Sequence, residues 1–156
     1  MMQWPVAFDR FLERPVPIYI HIAAAGEGRP PFGCRGYTAR FDAEGGLVRI
    51  GILKSQWIRL QACMRQHTAL AALLTCGIDN ESYQVKGELE RQEDLNARDR
   101  SFLEAQIRLT SRHFPDYAPL ISVNPADCVS IGIRAQAVYQ QTPGPDAGVL
   151  LYEREG

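Results

Sequence analysis

The chain has 156 residues, 46% of them apolar and 22% charged, with 17 Lys and Arg against 18 Asp and Glu. That length and balance fit one soluble globular domain and exclude a disordered chain or a polycation that coats nucleic acid. A formal net charge of −1 supplies no global pull on phosphate or anionic lipid, so any bound anion must be held by a local cluster.

The N-terminus, Met1 to Asp9, has no basic segment leading into an apolar core, and no run reaches the roughly 20 apolar residues of a membrane span. A cytoplasmic location without membrane partners is expected. Between 16 and 23, Val16, Ile18, Ile20 and Ile22 alternate with Pro17, Tyr19, His21 and Ala23, the period of a strand with one buried face. His21 is expected to be a hydrogen-bonded core or interface imidazole. Gly26, Glu27, Gly28 and the prolines after them form a turn, and a second strand follows over 32–41. A hairpin at Gly45 and Gly46 leads to a third strand, Leu47 to Leu53, completing an antiparallel meander.

Ser55 is placed to cap a helix whose stripe is Trp57, Leu60 and Met64 and whose end falls near Gln66. The Ala- and Leu-rich run over 67–76 fits a strand buried on both faces, although Ala and Leu would also suit a helix. Over 82–90, Tyr83, Val85, Gly87 and Leu89 face one way while Gln84, Lys86, Glu88 and Glu90 face the other. Ala97 to His113 is the strongest helix, with Asp99 in its first turn, basic residues in its last and Pro115 beyond; its charges read as a solvated face. A last strand covers 127–140, and the Pro-Gly tail after it stops the ladder. Six strands and two main helices describe an α+β protein, an antiparallel sheet closed or nearly closed into a barrel.

The four cysteines and three histidines are scattered, with neither a C-x-x-C pair nor two histidines on one helical turn, so no metal site is expected. P-loop, zincin, nucleophile-elbow and dinucleotide fingerprints are lacking. The carboxylates Glu88, Glu90, Glu93 and Asp94 alternate with Arg91 and read as hydrated surface. Chemistry is most plausible at Lys54, Ser55, Gln56 and Trp57, where a strand runs into a helix and free backbone N–H groups meet a lysine and a hydroxyl. Arg35 and Arg40 on the second strand, and Gln84 and Lys86 on the fifth, could join them around one crevice, with forked donors for phosphate and an amide for a heterocycle edge.

From Val16 to Gly148 the chain resembles the FMN-binding split barrels related to pyridoxamine 5'-phosphate oxidase. The resemblance is carried by Leu47 to Trp57, by Ser82-Tyr83-Gln84-Val85-Lys86-Gly87, and by Tyr139 to Gly148 with its Q-T-P-G-P-x-A-G pattern. It implies a single FMN-binding split-barrel domain over 1–156, with 1–15 as an N-terminal segment and 142–156 as a tail. It also implies FMN at a homodimer interface. Arg35, Arg40, Lys54, Ser55 and Gln56 would then lie at the phosphate, and Gln84 and less firmly Lys86 near the flavin, with Trp57 beside them. Lys54-Ser55-Gln56-Trp57 departs from the family's S-R-K word, and the oxidase's C-terminal extension is missing, so the vitamin substrate does not transfer. The function implied is an FMN-dependent oxidoreductase acting on a small substrate or electron donor. A non-catalytic module for flavin, deazaflavin or haem, and a barrel with a vestigial crevice, are the alternatives. No side chain is assigned a catalytic role.

Overall fold

A computed structural model describes residues 2–26, 28–65 and 67–156. Eight strands form the sheet: β1 (Ile18–Ala24), β2 (Phe32–Gly36), β3 (Thr38–Asp42), β4 (Leu47–Leu53), β5 (Ala69–Cys76), β6 (Ser82–Asp94), β7 (Cys128–Gln140) and β8 (Leu150–Glu153). Four helices accompany them: α1 (Val6–Leu12), α2 (Lys54–Cys63), α3 (Ala97–His113) and α4 (Ala118–Ile121). The α+β class is as expected, but the described strands number eight rather than six. The stretch read as one strand over 32–41 is broken at Tyr37 into β2 and β3, and Leu150–Glu153 adds a short strand after the Pro-Gly tail.

That break is what shapes the molecule. All pairings are antiparallel and the order is β2-β1-β5-β6-β7-β4-β3, with β8 beside β7. The two outermost strands of this path are consecutive pieces of one chain segment, so the sheet must curl until its edges nearly meet. The Tyr37 N–H, donating to the Gly51 carbonyl at 2.7 Å, starts the switch from pairing with β1 to pairing with β4.

Curling directs one side of every strand inward. Ile20, Ile22, Val48, Ile50, Ile52, Leu74, Val85, Ile131 and Ile133 are buried in one core. Phe8 and Phe11 of α1 join it, both wholly buried against Tyr83. Trp57 and Leu60 of α2 join it as well. Ser55 does not cap α2: the helix begins at Lys54, Leu53 holds the cap position, and no side chain bonds the first turn. It ends at Cys63; the end expected near Gln66 falls outside the described residues, as does Glu27 of the first turn.

The α3 helix has the expected bounds and a capping box in which the Asn96 side chain accepts from the Asp99 N–H and Asp99 accepts from the Asn96 N–H. Leu103, Gln106 and Thr110 form its buried side. Among the described residues, no helix is long and apolar enough to cross a membrane.

Candidate functional site

Residues that alternate with the core positions stand on the outer face of the curled sheet, and strand register sorts them into rows. One row crosses five strands: Arg35 of β2 is opposite His21 of β1, His21 opposite Leu73 of β5, Leu73 opposite Gln84 of β6, and Gln84 opposite Tyr139 of β7. The next row on that face, two residues along, runs Ala23, Ala71, Lys86 and Ala137. With strands about 4.8 Å apart, Arg35 and Gln84 are roughly 14 Å apart along the sheet. Small alanines leave the face shallow, and Leu73 is 40% exposed at its centre. Strand β5 therefore has one open face, contrary to the expectation of burial on both, because among the described residues Ala69 and Leu73 are left exposed and Ala71 only half-covered.

Arg35 and Gln84 of this row, and Lys86 of the next, are each held from one side. An Arg35 guanidinium N–H donates to the Tyr117 hydroxyl at 3.1 Å, and its central carbon sits 5.2 Å from that ring's centre. Tyr117 packs edge-on against Tyr19 with centres 5.2 Å apart, so the α3–α4 connection buttresses the arginine. Gln84 accepts from the Gln141 amide at 3.2 Å, and the Lys86 ammonium lies 5.3 Å from the Tyr139 ring. His21 is exposed beside Arg35, not a core imidazole. The signal for this was in the alternation itself: if Ile20 and Ile22 face the core, His21 must face out.

The remaining expected residues lie elsewhere. Lys54 and Ser55 are exposed at the start of α2, Gln56 is half-buried, and Trp57 is packed in the core. Lys54 lines a hollow of about 460 Å³ with Arg100, Asn124 and Cys128. Leu53 pairs with Cys128 at one end of β7, whereas Gln84 pairs with Tyr139 near the other, so a single copy does not bring Ser55 to Gln84. Arg40 is separate again. It donates to Asp99 at 2.9 Å and to Asn96 at 3.3 Å, at the start of α3.

Asp99 is the electrostatic centre of that region. It is fully buried and pairs with Arg49, itself 3% exposed, at 2.6 Å. Burial pushes its carboxyl pKa up, but hydrogen bonds from Arg49, the Asn96 N–H and Arg40 outweigh burial and hold it below the ordinary aspartate value. It is not part of the solvated face expected for α3. The Cys34 and Cys128 thiols are pushed by burial up to about 11, which leaves both protonated and unreactive near neutrality.

No protein-family model matches the sequence. No curated protein matches it either. Solved structures do. HupZ of Group A Streptococcus is 12% identical, the match covering 93% of this chain and all of that one (100%), with a TM-score of 0.54. A pyridoxamine 5'-phosphate oxidase-related, FMN binding protein of Nostoc punctiforme is 12% identical over 94% of this chain and 87% of that one, with a TM-score of 0.50. A conserved hypothetical protein of Mycobacterium tuberculosis is 16% identical over 90% and 85%, with a TM-score of 0.50. At such identities the likeness concerns the fold: the chain is a split barrel like the FMN-binding protein from Nostoc.

Proposed function

We propose that this split barrel binds FMN on the outer face of β2-β1-β5-β6-β7 and uses it as an oxidoreductase acting on a small substrate, as a homodimer. The supporting observation is the row from Arg35 to Tyr139, where a buttressed cation, an imidazole, an amide and an aromatic ring share one shallow face. These residue types suit the cofactor. Arg35 and Lys86 are cations for a phosphate, Gln84 can donate to and accept from a ring edge, and Leu73 with its flanking alanines offers apolar surface to a flat heterocycle. The bound flavin would supply the electron-accepting ring, and the chain's part is to hold and orient it.

Dimerisation follows from the same face. The open side of β5 presents Ala69, Ala71 and Leu73 to solvent or half-covered, an apolar strip that a second copy would bury. Lys54 and Ser55, remote from Gln84 in one copy, would take part only as a contribution from that second copy.

Purified protein tests both points. A yellow chromophore that releases FMN on denaturation, together with a dimer mass in sedimentation, is expected. Colourless protein that neither binds added flavin nor dimerises overturns the proposal. Retained flavin with no oxidation of reduced nicotinamide in the presence of any acceptor would instead assign a carrier.

A further inference from the structure

Arg40, expected at a phosphate, borders a hollow of about 540 Å³ between α1, β3 and α3 that shares no residue with the outer-face row. A volume of that order is typical of small-molecule pockets, which run from about 300 to 1,000 Å³. Its floor is apolar: Leu12 of α1, Ala39 and Phe41 of β3, and Phe102 of α3. The charged groups around it divide into two kinds. Two are already engaged, Arg40 by Asp99 at 2.9 Å and Asp9 by the Trp4 indole N–H at 2.6 Å. The other two, Glu13 at the end of α1 and Arg98 in the first turn of α3, are exposed and have no partner among the described residues.

An arginine and a glutamate bordering one hollow, neither with a side-chain partner among the described residues, leave an anion-binding and a cation-binding group flanking aromatic and aliphatic surface. We propose that this hollow binds a small dipolar molecule with an aromatic or apolar body, one anionic group and one cationic group. Arg98 takes the anion with its forked donors, Glu13 takes the cation, and the body lies on Phe41, Phe102 and Leu12. A second hollow of about 440 Å³ shares Leu12, Glu13 and Phe102, so the site opens along α3 instead of ending as a closed pit. This site does not depend on flavin binding.

The molecule carries its own reporter. The Trp4 indole stacks on Phe41 with ring centres 4.3 Å apart and bonds Asp9, and both of those residues line the hollow. The other tryptophan, Trp57, is 6% exposed in the core and lines neither hollow.

The test titrates the full chain with para-aminomethylbenzoate, benzoate and benzylamine, reading Trp4 emission and, independently, calorimetric heat. The dipolar probe should bind about tenfold more tightly than either singly charged one, a difference of about 1.4 kcal/mol. Arg98→Ala should reduce its affinity to that of benzylamine, and Glu13→Gln to that of benzoate. Both side chains are exposed and unpaired among the described residues, so the thermal midpoint should stay unchanged and serve as the folding control. Equal affinity for all three probes, no binding in the millimolar range, or affinity untouched by both substitutions would show a solvated surface concavity and overturn the proposal.

Discussion

Asp99 and Gly87 show how much rests on single positions. The Asp99 carboxylate receives Arg49 at 2.6 Å and Arg40 at 2.9 Å while wholly shielded from water. Asp99→Asn leaves the buried Arg49 guanidinium with only the more exposed Glu93 carboxylate, at 3.2 Å, as counter-charge, a loss of about 1–3 kcal/mol that chemical denaturation at neutral pH should register. The pH dependence follows from the direction of the shift. Because the folded carboxyl titrates below its unfolded value near 3.9, its stabilising contribution is complete above roughly pH 4. It is lost as pH falls through the folded value, so denaturation midpoints should drop on the acid side more for the wild type than for the variant, in which Asp79 and Glu90, also held below the ordinary carboxylate range by Arg14 and Arg134, still titrate. Gly87 sits where the β6–β7 register shifts, and a Cβ there would collide with the Arg134 backbone carbonyl. Gly87→Ala should therefore cost about 1–3 kcal/mol in urea unfolding, since backbone, unlike a side-chain tip, cannot swing aside.

Elements with one clean period were legible from sequence. The strands β1 and β4, the alternating first half of β6, and the bounds of α3 all fold as read. What escaped was set by tertiary context. A single residue, Tyr37, divides β2 from β3, and no local signal marks that division because it arises from the edges of a curling sheet finding different partners. The α1 helix, with Phe8, Phe11 and Leu12 at helical spacing, was visible in principle, but its seven residues are held by burial of two phenylalanines more than by any cap. The outer-face row was hidden for a different reason: Arg35 and Gln84 become neighbours in register only once β1 and β5 lie between them. Gln106 of α3 was likewise unremarkable in sequence, yet it is 5% exposed, accepts from the Ile18 N–H at 2.9 Å and donates to the Val16 carbonyl at 3.0 Å. It completes the pairing of backbone groups where β1 begins. Gln106→Leu strands those groups at about 1–3 kcal/mol, and amide exchange at Ile18 should quicken more than at Ile22 in mid-strand.

At the scale of the whole molecule, curling places the core inside the sheet and turns the alternate residues of β2-β1-β5-β6-β7 into one open surface. The helices are distributed accordingly, with α1 and α2 contributing to the core while α3 and its charged network pack on β3 and β4. The face that carries Arg35, His21, Gln84 and Lys86 is thereby left, among the described residues, without a covering helix across β5. Equilibrium titration of apoprotein with FMN, comparing wild type with Arg35→Ala and Gln84→Leu, addresses the flavin assignment most directly. Saturable binding that weakens about tenfold or more in each variant, with unfolding midpoints unchanged, is the predicted result. Saturable binding that neither substitution alters, or no binding up to millimolar flavin, would contradict it.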